Sequence, residues 1–283
     1  MRRLGVHTSI AGGVHFSLKR AHKLGCSTVQ IFSHNPRSWG LKGISSDDSA
    51  LFRELRVRYD ISPVYIHTSY LINMASVNKG LIDRSVSMLK EELDRADMLG
   101  ADYVVLHPGS AAGDDESAAR ARAIAALNKV ANGGSWNAGL LIENTAGERG
   151  DISSSIEEIR EIIEGVSPSL ISGICLDSCH AFAAGYDIRQ ENVLHKLSAA
   201  IQQFIGKDRV KLIHLNDSKK QPGSGVDRHE HIGRGMIGIR GLQGFICHEF
   251  FREVPLILET PKKSESDDPM NIAQVKKMIG AQY

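Results

Sequence analysis

The chain has 283 residues, a length that admits one α/β barrel of about 250 residues or two smaller domains. With 42% hydrophobic and 24% charged residues, the composition excludes a disordered or fibrous chain. A formal charge of +1 excludes a protein that gathers nucleic acid through its global field, so such a partner would have to be held by a local patch.

The amino-terminal MRRLGVHTSI carries two arginines but no apolar run of signal-peptide length, and no later segment approaches a membrane-spanning run. Cys26, Cys175, Cys179 and Cys247 are too scattered for a disulfide framework, which points to a reducing cytoplasm. Short apolar, β-branched runs then recur, each followed by a segment with helical spacing. The strand RLGVHTS (3–9) precedes a helix at 15–24, and TVQIFS (28–33) precedes one at 46–59. PVYIHTS (63–69) leads to the most regular helix, 80–99, where Leu81, Val86, Leu89, Leu93, Ala96 and Leu99 share a face and Gly100 supplies the stop. YVVLHPG (103–109), GLLIENT (139–145) and SGICLDSC (172–179) are followed by helices at 115–131, 154–164 and 189–205. VKLIHLND (210–217) is followed by a segment at 239–250 that two glycines weaken as a helix, and VPLILET (254–260) by a helix at 270–279. Eight βα units with no linker between them predict one domain over 1–283, a (β/α)8 TIM barrel, with a doubly wound open sheet as the alternative.

The ionisable residues fall at the ends of these strands: His7, His67, His107, Glu143, Asp177, His214 and Glu259. In a parallel barrel all carboxyl ends share one rim, so residues far apart in sequence meet in one mouth. A lone histidine at a strand end reads as a hydrogen-bonded structural residue, but six further ends carrying His, Asp or Glu make that reading hard to keep. Imidazoles and carboxylates without thiolates suit zinc, manganese or iron(II). Two loop segments add candidates, Asp177-Ser-Cys-His180 and Asp227-Arg228-His229. Cys175, Asp177 and Cys179 alternate along one strand, which would allow a thiolate site, although buried cysteine more often serves as a small apolar filler.

Other features have plainer readings. The stretch 207–240 holds eight cations (Lys207, Arg209, Lys211, Lys219, Lys220, Arg228, Arg234, Arg240) against four anions, a candidate patch for nucleic acid or a solvated basic face. His15, His22, His34, His195 and His248 lie away from strand ends and are expected at the surface. His231 is expected to orient a phosphate or face water. Trp39 reads as core packing or a loop anchor, Arg37 as a surface charge and Tyr70 as a rim aromatic.

The strings GVHTSIAGG (5–13), HTSYLIN (67–73), HPGS (107–110), IENTAG (142–147), CLDSCHAFAAGYD (175–187), HLNDSK (214–219), VDRHEHIGRG (226–235) and LILET (256–260) together resemble, in order, the signatures of the endonuclease IV family. That resemblance implies a trinuclear zinc site, with manganese or iron(II) as alternatives at some positions. The first metal would be held by His67, His107 and Glu143, and the second by Glu143, Asp177, His214 and Glu259. The third would take His180, Asp227 and His229. Four carboxylates against three dications leave a local charge of about +2, which would draw in a phosphodiester. Glu143 would be the catalytic residue. Asn35, Arg37, Tyr70, Leu71, Lys219 and Arg228 would contact DNA, with Arg37 and Tyr70-Leu71 wedged into the duplex, and His7 would support a ligand from behind. The implied activity is a DNA-repair cut 5′ to an abasic site, leaving a 3′-hydroxyl and a 5′-deoxyribose phosphate. The implied substrate is duplex DNA with abasic or 3′-blocked sites, acted on by a monomer in the cytoplasm, with no membrane partner. The rivals are a sugar isomerase on the same barrel, which needs no Asp-Arg-His triplet, and a catalytically silent DNA-binding scaffold.

Overall fold

The structure is a computed structural model and describes residues 2–280. In chain order the first units are β1 (Leu4–His7), α1 (His15–Lys23), β2 (Thr28–Phe32), α2 (Ser46–Arg58), β3 (Val64–His67) and α3 (Lys79–Leu99). Next come β4 (Tyr103–Leu106), α4 (Glu116–Ala131), β5 (Gly139–Glu143), α5 (Ile156–Gly165), β6 (Ile171–Asp177), α6 (Ser178–Ala183) and α7 (Glu191–Phe204). The chain ends with β7 (Val210–His214), β8 (Asp217–Ser218), β9 (His229–Glu230), α8 (Gly238–Cys247), β10 (Leu256–Leu258) and α9 (Asp267–Gly280). Strands β1 to β7 pair in parallel with their sequence neighbours, and β10 pairs with both β7 and β1, which closes the barrel. The open-sheet alternative is thereby excluded.

Local chemistry explains the element ends. Ser45, Asn78, Asp115 and Ser155 each accept a hydrogen bond from the third backbone N–H of the helix that follows, and Ser155 with Glu158 forms a reciprocal capping box. Gly100 ends α3 in the left-handed conformation at φ 64°. The strands are packed so tightly that a side chain at Gly5 would run into the Thr28 carbonyl of the neighbouring strand.

One alternation places the site. Tyr65, Val105, Leu141, Cys175, Leu212 and Ile257 form a buried apolar cluster of their own inside the barrel. Each lies two residues before a candidate ligand: His67, His107, Glu143, Asp177, His214 and Glu259. Since side chains two apart on a strand point the same way, an apolar floor dictates a polar layer directly above it at the carboxyl rim. The much larger second core lies between strands and helices.

The observed strands stop short of several expected bounds. The run expected at 210–217 divides into β7 and the two-residue β8, which pairs antiparallel with β9. On β1, β3, β5, β6 and β7 the ladder runs as far as His7, His67, Glu143, Asp177 and His214, and the chain turns into loops beyond them. Helix α6, which follows β6 directly, was not anticipated, because six residues carry too little periodicity to register. The segment with two glycines does form a helix, α8, because Leu242, Phe245 and Ile246 bury on one face. Among the described residues no helix is long and apolar enough to cross a membrane.

Candidate metal centre

The structure brings all nine candidate ligands together at the barrel mouth. Three thiol-free groups have donor atoms lying within 4.8 Å of one another: His67, His107 and Glu143; Glu143, Asp177, His214 and Glu259; and His180, Asp227 and His229; two further groups bring Cys175 beside Glu143 and His214, and Cys179 beside Asp177 and His229. Glu143 belongs to the first two. Its Oε2 lies 3.0 Å from His107 Nε2 and 3.3 Å from His67 Nε2, and its Oε1 lies 2.9 Å from His214 Nδ1. A carboxylate with one oxygen turned to each group has the geometry of a bridge.

The imidazoles are oriented in advance. His67 Nδ1 donates to Thr68 O at 2.9 Å and His180 Nδ1 to Asn144 O at 2.9 Å. His229 Nδ1 donates to Glu259 O at 3.1 Å and His214 Nε2 to Gln30 Oε1 at 2.7 Å. A ring that spends its N–H on an oxygen presents the lone pair of its other nitrogen, and in all four that nitrogen faces the carboxylates. His229 Nε2 is buried with no hydrogen bond, although Asp227 Oδ1 lies 3.2 Å away in ion-pair range. A nitrogen aimed past a carboxylate suits a shared cation better than a shared proton. The donor set therefore fits a transition metal.

Charge distribution agrees. Burial alone would lower the pKa of His67, but hydrogen bonding and attraction from Glu143 raise it to about 9. At His229 burial is likewise outweighed, by Asp177 and then Asp227, and the pKa again rises to about 9. Burial would raise Glu143, yet His214 and His107 hold it well below the ordinary carboxylate range. Without metal, protons on imidazoles stand where cations would sit. The thiols behave differently, since burial pushes Cys179 up to about 12 and Cys175 well above its usual value. Cys175 packs in the apolar floor beneath the ligands and Cys179 is fully buried, the placement of small apolar fillers, while both sulfurs lie within 4.8 Å of donor atoms of the cluster.

Sequence reasoning missed four supporting residues. Gln30, buried on β2, donates to Glu259 Oε1 at 2.6 Å and contacts His7 Nδ1 at 3.0 Å, besides accepting from His214. Asn144 accepts from the Asp177 amide, and Asn216 donates to Asp177 Oδ2 at 2.6 Å while accepting from the Glu259 amide. Asp217 accepts from the amides of Gly235, Ile237 and Gly238, which folds the loop carrying Asp227 and His229 back over the mouth. A lone glutamine within an apolar strand run was a legible signal for Gln30. His7 Nδ1 lies 3.4 Å from Glu259 Oε1.

The other expected DNA residues ring this mouth. Arg37 is exposed, and its amide donates to Asn35 Oδ1 at 3.1 Å in a tight turn. Tyr70 is 64% exposed, with its ring edge to Phe32, and Leu71 lies beside it half-buried. Lys219 and Arg228 are exposed on the β8–β9 hairpin, where Lys219 N donates to Arg228 O. The basic stretch 207–240 is not one patch. β7 runs through it, so Arg209 and Lys211 lie at the opposite end of the barrel from Lys219 and Arg228. His34 is also corrected: it is buried, not at the surface, and bonds to Glu92. His231 contacts Asn271 Nδ2 at 3.1 Å through its Nδ1, and Trp39 packs against the core beneath Arg84.

A cavity of about 370 Å³ opens above the ligands, lined by His67, Tyr70, His107, His180, Asp227 and Arg228 among others. A larger one, about 1070 Å³, lies at the starts of the strands beside Asp102, Tyr103, Arg209 and Lys211. The smaller is the site, because the clustered donors line it and barrel chemistry belongs to the carboxyl rim.

A family model described as xylose isomerase-like TIM barrel matches residues 18–280. A protein of Halothermothrix orenii named probable endonuclease 4 is 42% identical over 273 residues, covering 96% of this chain and 98% of its own length. The crystal structure of endonuclease IV from Thermus thermophilus superposes with a TM-score of 0.86 at 35% identity, covering 99% of each chain. A D-tagatose 3-epimerase-like protein shares the fold, with a TM-score of 0.70 at 20% identity and 99% coverage of each chain. That last likeness speaks for architecture alone.

Proposed function

Because this chain belongs to the endonuclease IV family, whose members are metal-dependent nucleases, we propose that it repairs DNA by hydrolysing the phosphodiester 5′ to an abasic site. The observation that carries the reading is the meeting of three donor groups at one mouth, two of them sharing Glu143, with four imidazoles already oriented toward the carboxylates.

In this reading the clusters hold three zinc ions, with manganese or iron(II) as alternatives, in a chain acting as a monomer. Bound there, such ions lower the pKa of water and neutralise phosphate charge. Glu143, with one oxygen turned to each of two donor groups, accepts a hydrogen bond from the attacking water and orients it toward phosphorus. His180, Asp227 and His229 surround the departing 3′ oxygen, which takes up a proton as the bond to phosphorus breaks. The products are a 3′-hydroxyl and a 5′-deoxyribose phosphate. Arg37 and Tyr70-Leu71 enter the duplex beside a nucleotide that has lost its base and stacks weakly, while Asn35, Lys219 and Arg228 contact the backbone.

The test is a duplex with one tetrahydrofuran abasic analogue, incubated with the purified protein with and without chelator. A single cut 5′ to the analogue, abolished by chelator, is the expected result, and the analogue has no aldehyde to support a lyase. An uncut duplex at saturating enzyme and metal would remove the proposal.

A further inference from the structure

The loops that carry Arg37 and Tyr70 are joined by a buried carboxylate that has no part in the metal cluster. Glu92 lies in the middle of α3, on the face packed against the barrel, and is fully buried. A carboxyl group in that position must be satisfied by donors, because its oxygens are cut off from water. Three donors meet it from two loops. From the loop after β2 come Ser33 Oγ at 3.1 Å and His34 Nε2 at 3.0 Å, and from the loop after β3 comes the Ser69 amide at 2.9 Å. Arg95, almost one turn further along α3, donates to Ser33 Oγ at 3.0 Å and to Lys42 O at 3.0 Å, which pins the far end of the first loop.

The loops also grip each other directly. Ser69 Oγ donates to Pro36 O at 2.8 Å, and the Tyr70 amide donates to the same carbonyl at 3.2 Å. Ser69 Oγ in turn accepts from the Leu71 amide at 3.2 Å. Pro36 immediately precedes Arg37, so the backbone presenting Arg37 and the backbone presenting Tyr70 and Leu71 share one carbonyl. Glu92 anchors both sides of that joint from beneath.

We infer that Glu92 is a positioning residue that sets the two loops as a single unit, so that Arg37 and Tyr70-Leu71 meet the duplex in register. The inference rests on the proposed role of those side chains in DNA, but the joint itself is measurable without substrate. Hydrogen exchange is compared among the unaltered protein, Glu92→Leu, Glu92→Gln and Ser69→Ala. Glu92→Leu removes every acceptor, whereas the glutamine keeps an amide oxygen for the Ser69 N–H. Ser69→Ala removes the hydroxyl that donates to Pro36 O and accepts from the Leu71 amide while leaving the Ser69 amide on Glu92, and it supplies the test if the leucine variant does not fold.

Amides of 33–42 and 68–74 are expected to exchange about tenfold faster or more, and together, in Glu92→Leu and in Ser69→Ala, with partial recovery in Glu92→Gln. Amides of 103–109 and the bound metal content stay as in the unaltered protein. On the abasic duplex the loss appears as a rise in KM of about tenfold, with kcat at saturation changing far less. Faster exchange in one loop only, or in neither, overturns the inference, as does metal loss with a parallel fall in kcat. Coupled exchange in a protein that cuts no abasic duplex would uphold the joint and remove the proposed substrate instead.

Discussion

Glu143 concentrates the chemistry at the residue scale. Each of its oxygens faces a different donor group, and its charge is held by imidazoles on both sides. Glu143→Gln keeps the shape but replaces one oxygen with an N–H donor, so one group loses its shared ligand. We expect kcat to fall by about a thousandfold or more, while affinity for the abasic duplex changes only a few-fold, since the residues proposed to contact the backbone lie elsewhere on the rim. Single-turnover cleavage set against a binding titration separates the two, and near-normal turnover would remove Glu143 from its role. The residues around it show why ligands alone are an incomplete description. Gln30 selects which nitrogen of His214 is bare, and Asn144 fixes the backbone and the ring that present Asp177 and His180.

The informative element is α8, because its two interior glycines have opposite reasons for being there. Gly241 packs against Arg189, whose Cγ would lie 2.8 Å from an added Cβ, with Ile237 Cγ2 at 2.9 Å. Gly244 is exposed, with nothing within 4 Å of an added Cβ. Gly244→Ala is therefore expected to stabilise the protein by about 0.5–1 kcal/mol, through reduced freedom of the unfolded chain. Gly241→Ala is expected to destabilise it by about 1–3 kcal/mol, through overpacking. Denaturant midpoints of the two variants measure this, and the same sign for both would contradict the account. The glycines that weakened the helical pattern were thus one packing requirement and one tolerated cost.

For the whole molecule, the metal cluster couples stability to pH in opposite senses with and without metal. In the metal-free protein His67 and His229 have pKa values raised to about 9 from 6.5, so their contribution is complete below about 6.5 and is lost as pH rises through 9. Glu143 and Glu259 are lowered from 4.5, so their contribution is complete above about 4.5 and is lost on acidification. Metal-free protein should therefore be most stable between about pH 4.5 and 6.5 and weaken toward pH 9. With metal, protons compete for the same nitrogens, so stability should instead rise from pH 6 toward pH 8. Thermal midpoints across pH, with and without chelator, decide this, and parallel curves would show that the cluster binds no metal.

How much was legible follows from the kind of interaction involved. Barrel architecture could be read from sequence because eight apolar runs and the helices between them are local periodic signals, and residues at equivalent strand ends must share a rim. Candidate ligands at those ends could be read for the same reason, because each apolar run closes on a His, Asp or Glu, as Leu141-Ile142 does on Glu143 and Leu212-Ile213 on His214. Tertiary structure alone decided which way each imidazole turns, since Gln30 and His214 are 184 residues apart and nothing local links them. It alone divided the basic stretch 207–240 between two ends of the barrel, because a strand's length separates charges that are adjacent in sequence. It also buried His34 on Glu92, because a helix face reads as apolar from its leucines, while a carboxylate among them shows its purpose only when donors from two distant loops arrive.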